Sequence, residues 1–167
     1  MAYKAKLVSI FFILGALAPA HAQTGDSELT ITTKGFEDWN VRCEQLKGQP
    51  KQCVMTQQAR IQNSGQRLMQ VNIAKPDEER TLMTAVLPLG FYLPAGAKLN
   101  IDDKSPLDLV VAFCNQSGCY ANLTLTRNLI RDIGRAEQVV VNIQIQQEQE
   151  VGVPISAKGF SDAIGSL

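Results

Sequence analysis

With 167 residues, 16 basic side chains against 16 acidic ones and no basic block, the chain lacks the electrostatic footprint of a nucleic-acid binder. Its single histidine, His21, falls in a leader expected to be removed, which takes away the commonest general base and metal ligand. Loss of Lys4 and Lys6 with that leader leaves 14 basic residues against 16 acidic ones, a formal charge of −2.

Residues 1–22 read as a secretory signal peptide. Lys4 and Lys6 form a basic start, Leu7–Ala18 an apolar stretch, Pro19 a helix breaker, and Ala20-His21-Ala22 an A-x-A cleavage site. An apolar core this short falls below the roughly 20 residues a membrane-spanning helix needs, so no integral membrane segment is expected after cleavage. Gln23 follows the cleavage site in place of a cysteine, so lipid anchoring is not implied. The small polar stretch 23–34 reads as a flexible leader, and 35–167 as a single domain.

The first strand is expected at Trp39, Val41 and Cys43, which share a face at period two. After the turn at Gly48 and Pro50 comes a second, Gln52–Ile61, with Cys53, Met55 and Ala59 on one side. A third follows with Met69, Val71 and Ile73 inward. "TLMTAVL" is a strand stopped by Pro88. "LPLGFYLPAG", Leu87–Gly96, is apolar yet rich in breakers and reads as a crossing loop, with Pro94 placed for a turn. "KLNID" and "LDLVVAF" are further strands, the latter with Leu107, Leu109, Val111 and Phe113 expected on one face. "YANLTLT" is its antiparallel partner.

Thr126 is placed to cap a short helix ended by Gly134. A hairpin follows, and Phe160, Ile164 and Leu167 suggest a closing amphipathic turn. Strands every ten to fifteen residues with sparse helix predict a mainly β domain, an antiparallel β-sandwich or flattened barrel with one or two short helices.

Four cysteines in an exported chain imply two disulfides. "CNQSGC", Cys114–Cys119, lacks both the spacing of a zinc knuckle and the C-x-x-C of a redox helix. A clip across a hairpin tip suits it better, because residues opposed across an antiparallel pair lie close to disulfide distance. The same argument favours Cys43–Cys53 with Cys114–Cys119 over crossed pairing. Neither a metal nor a cofactor is expected.

No serine lies in a nucleophile elbow. The carboxylate clusters Asp77-Glu78-Glu79 and Asp102-Asp103 fall in turns, so a carboxylate-based hydrolase is the weaker alternative. Trp39 reads as core. Leu89, Phe91, Tyr92 and Leu93 of the apolar loop form the candidate surface for a protein partner.

The motif F-x-x-W-x-V-x-C at Phe36–Cys43, the following Cys53, "LPLGFYLPAG", C-x-x-x-x-C-Y-A at Cys114–Ala121 and GF-x-x-A at Gly159–Ala163 together resemble the invasion-associated locus B family. The resemblance spans nearly all of the chain after the leader. It implies an exported protein of Gram-negative bacteria, located in the periplasm, on the outer membrane or outside the cell, and associated with invasion of host cells. It brings no catalytic residues. The resulting expectation is a non-enzymatic envelope protein acting by protein–protein contact, with a periplasmic accessory or stress role as the alternative.

Overall fold

The computed structural model describes residues 28–146 and 149–167. The expected signal peptide lies outside the described residues. Among these residues ten strands occur in the order β1 (Leu29–Phe36), β2 (Trp39–Leu46), β3 (Gln52–Arg60), β4 (Arg67–Ala74), β5 (Leu82–Leu87), β6 (Ala97–Ile101), β7 (Leu107–Asn115), β8 (Gly118–Thr124), β9 (Val139–Gln146) and β10 (Gln149–Ile155). Helices α1 (Arg127–Arg135) and α2 (Phe160–Gly165) follow β8 and β10.

All ten strands belong to one antiparallel sheet, ordered β1-β2-β3-β4-β5-β8-β7-β6-β9-β10. Strand β7 turns the corner: its first residues pair with β6, while Val110–Asn115 pair with β8. The sheet thereby curls into a half-barrel, and its two ends face each other across a common core. Trp39, Val71 and Met83 from one side and Leu99, Val139 and Ile155 from the other line an interior void of about 10 Å³. That is at most room for one water, so this void is not a ligand site. The expectation of a mainly β sandwich or flattened barrel takes this form.

The period-two pattern explains most of the core. In β2, Trp39, Val41 and Cys43 are buried while Asn40, Arg42 and Glu44 are exposed; in β4, Met69, Val71 and Ile73 face in. The seam between the two ends is closed by side chains from remote parts of the chain. Trp39 is fully buried, donates from Nε1 to the Ser156 carbonyl at 2.9 Å, and meets Phe160 edge-on at 5.5 Å. Ser156 also donates from its backbone N–H to Gln57 Oε1 at 2.8 Å and from Oγ to Asp38 Oδ2 at 2.6 Å. Both polar tips of the seam thus have partners, as burial demands.

Several expectations need correction. Residues 29–34 are not leader: they form most of β1, which pairs with β2 along its whole length. They lack an apolar inner face because β1 overhangs the core, and Thr30, Thr32 and Lys34 stay exposed on that side. In β7, a bulge between Val111 and Phe113 inserts one residue and turns Phe113 outward, where it is 54% exposed. Helix α1 is capped by Thr126 as expected, with Oγ1 accepting from Leu129 N at 3.2 Å, but it runs past Gly134 to Arg135. Gly134 serves packing instead. A Cβ there would lie 2.6 Å from Ser161 Oγ, so its absence lets α2 approach α1.

Candidate contact surface

Three connections converge at one end of the strands, which we call the tip. The first is the β3–β4 hairpin, where Arg60 and Arg67 stand directly opposite each other. The second is the segment leaving β5 through Pro88 and Leu89. The third is the β7–β8 hairpin, whose turn is the two residues Gln116-Ser117. Together they line an open cleft of about 530 Å³.

The β7–β8 hairpin is held in three ways. Cys114 and Cys119 are paired across the ladder and joined, with their Cα atoms 4.0 Å apart. Asn115 Oδ1 accepts from Ser117 N at 2.8 Å, an Asx turn. Gly118 has φ +136°, and a Cβ there would overlap the Leu87 carbonyl oxygen, so only glycine lets β8 start this close to β5. The second disulfide, Cys43–Cys53, joins β2 to β3 at the other end of the strands. Both pairings are the local ones.

The cleft's electrostatics follow from how its arginines are held. Arg60 donates from Nη1 to the Gly65 carbonyl at 2.9 Å and from Nη2 to Gln58 Oε1 at 2.6 Å. Arg67 donates from Nη2 to the Ser117 carbonyl at 3.0 Å and from Nη1 to Gln70 Oε1 at 3.3 Å. All four acceptors are neutral. Among the described residues neither guanidinium has a carboxylate within 4 Å, so neither is paired with a counter-charge and both have spare N–H donors. Two fixed, uncompensated guanidiniums are the donor set for a carboxylate or another oxyanion.

Apolar surface flanks this charge. Leu89 is 58% exposed at the cleft. On the other side of β8, Phe113 stacks on Tyr120 with ring centroids 4.5 Å apart, beside Val110, which is 70% exposed. The outer sheet face from β3 to β8 carries an amide and hydroxyl ladder, with Gln58, Gln70 and Asn72 bonded in sequence and Thr84 bonded to Asn122.

The loop residues expected to form one partner surface do not do so. Leu89 lines the cleft. Phe91 is buried in the core and is withdrawn as a contact residue. Tyr92 and Leu93 are exposed but belong to a short 3-10 turn anchored on β9, where Tyr92 N donates to the Gln144 carbonyl at 2.6 Å. The sequence reading missed Arg60, Arg67, Phe113 and Tyr120. The first two meet only through the hairpin register, and Phe113 faces out only because of the bulge.

The carboxylate clusters serve local structure. Asp77 Oδ1 accepts from the N–H groups of Glu79 and Arg80, and the Arg80 guanidinium hydrogen-bonded to it holds its carboxyl below the usual range. Asp102, at φ 45°, accepts from Gln138 N at 2.8 Å. Lys104, hydrogen-bonded to Asp132 at 2.6 Å, lowers that carboxyl likewise. Among the described residues no three metal-ligating side chains cluster.

Known proteins resemble this chain over most of its length. Two Brucella abortus proteins, the invasion protein B homologs of strain 2308 and of biovar 1 strain 9-941, are each 27% identical over 133 residues, covering 79% of this chain and 76% of theirs. The crystal structure of invasion associated protein b from Bartonella henselae superposes with a TM-score of 0.72 at 16% identity, covering 81% of this chain and 93% of that one, and shows the same fold. The sequence profile of the invasion associated locus B proteins matches residues 39–167, from the seam tryptophan Trp39 to the last residue and across both disulfides, and the chain belongs to that family.

Proposed function

We propose that this is an exported, non-enzymatic envelope protein that supports invasion by binding a protein partner through its tip. The signal-peptide pattern of residues 1–22 and the two disulfides suit an oxidising compartment: the periplasm, the outer membrane or the exterior. Among the described residues no helix is long and apolar enough to cross a membrane. Membership of the invasion associated locus B family supports a role related to invasion.

The observation that carries the contact reading is the pair Arg60 and Arg67, fixed by neutral acceptors between exposed apolar groups. Fixed charge flanked by aromatic and aliphatic surface is the composition of a protein interface, where arginine and aromatic anchors dominate affinity. The partner it fits presents an acidic side chain or chain terminus to the arginines and an apolar residue to Leu89 or Phe113.

The test is complementation of a strain lacking the protein. The wild-type chain is expected to restore invasion, and Arg60→Glu with Arg67→Glu to fail while being exported and oxidised to the same extent. Full restoration by the charge-reversed chain contradicts the contact reading. Mass spectrometry of the exported chain is expected to find Gln23 as its first residue; a retained leader contradicts export by cleavage.

A further inference from the structure

The two edges of the sheet are built differently. Strand β10 is blunted: it carries Pro154, a bulge at Gln149/Glu150, and an end tied to Trp39 and Gln57 through Ser156. Strand β1 carries neither a proline nor a bulge, and it is its Phe36 end that packs against Gly159 and α2. Its residues Leu29–Gly35 are all exposed, it contains no proline, and Lys34 is its single charge. An edge of this length and openness is a template for pairing with another strand.

The backbone register says which groups face out. Cys43 and Cys53 are opposed with Cα atoms 4.0 Å apart, the close spacing of a non-hydrogen-bonded pair. Because bonding alternates across a strand, Cys43 points its backbone groups toward β1 and forms a hydrogen-bonded pair with Thr32. Thr30, Thr32 and Lys34 therefore bond to β2. Leu29, Ile31, Thr33 and Gly35 direct their N–H and C=O groups to the open edge.

We infer that β1 pairs antiparallel with β1 of a second copy of this chain, about a two-fold axis at Ile31. In this register Ile31 meets Ile31 as a hydrogen-bonded pair, Leu29 meets Thr33, Thr30 meets Thr32, and Glu28 meets Lys34 twice. Glu28 stays in line because its carbonyl accepts from Lys47 N at 3.2 Å, continuing the β1–β2 pairing. Among the described residues neither Glu28 nor Lys34 is in an ion pair; Lys34 lies 4.7 Å above the Phe36 ring. Shifting the axis by one residue to Thr32 sets Lys34 against Thr30 and Glu28 against Phe36, losing both charge pairs. Charge complementarity thus selects the second copy and this register. A two-fold interface closes on itself, so the β1 edge of each copy is consumed without further growth.

Sedimentation velocity of the exported, disulfide-bonded chain tests this between about 10 µM and 1 mM, where association follows protomer concentration. The wild type is expected to form dimers. Lys34→Glu and Glu28→Lys each set like charges opposite and are expected to weaken association about tenfold or more, and the double exchange to restore it. Ile31→Pro, which removes only an edge-facing N–H, is expected to abolish it. A wild type monomeric throughout, its edge left to a strand of another protein, overturns the proposal. So does a dimer that Lys34→Glu leaves unchanged or that the double exchange fails to restore.

Discussion

The seam and the tip handle polar groups in opposite ways. At the seam, the Trp39 indole, the Ser156 hydroxyl and the Gln57 amide are bonded to one another's neighbourhood across about a hundred residues of chain, and Phe160 packs on the indole edge. Every group there is satisfied by the protein itself. At the tip, two guanidiniums are held in place by carbonyls yet left without a counter-charge, next to exposed Leu89 and Phe113. On the proposed contact reading, these open donors are the groups that meet a partner.

Substitutions at the two regions should therefore separate stability from binding. The largest loss of stability is expected for Trp39→Ala, about 3–5 kcal/mol by chemical denaturation, because it empties the seam and strands the Ser156 carbonyl. Removing the Cys43–Cys53 bridge by paired alanines should cost about 3 kcal/mol, and removing Cys114–Cys119, which closes a shorter loop, about 2 kcal/mol. Gly118→Ala should cost a comparable 1–3 kcal/mol or so, since it forces a Cβ onto the Leu87 carbonyl at a positive φ. By contrast, Arg60→Glu with Arg67→Glu should change stability by less than about 0.5 kcal/mol while abolishing the contact function. Equal destabilisation at seam and tip arginines would erase the distinction.

The smallest effect concerns acid. The Asp132 carboxyl, lowered by its hydrogen bond to Lys104, contributes stability that is present above the ordinary carboxylate range and lost as pH falls through its depressed value. The stability difference between the wild type and Asp132→Asn should be small at neutral pH, as for any exposed ion pair, and vanish in acid. A difference that grows on acidification would contradict the assignment.

What the sequence shows here depends on locality. Alternation in β2 and β4, the Thr126 cap and the two disulfides are each set by neighbours in the chain or across one hairpin, and they are readable. Strand β1 is not, because its overhang gives it no buried face; its β-branched Ile31, Thr32 and Thr33 were the available signal. The one-residue bulge that exposes Phe113 leaves the period-two pattern intact in print and reverses it in space. Phe91 and Leu89, two residues apart in an irregular loop, go to core and cleft for reasons only the packed neighbours decide. The arginine pair meets through hairpin register, with the β7–β8 turn brought in from 50 residues away.

On the proposed reading the tip, and not the seam, touches a partner. A photoreactive residue placed at Leu89 and, separately, at exposed Asp162 on α2 measures this in the intact envelope, with adducts identified by mass spectrometry. A specific protein adduct is expected from position 89 that disappears when Arg60 and Arg67 are reversed to glutamate, and none from position 162 other than a second copy of this chain. No adduct from position 89, or the same adduct from both positions, would contradict it.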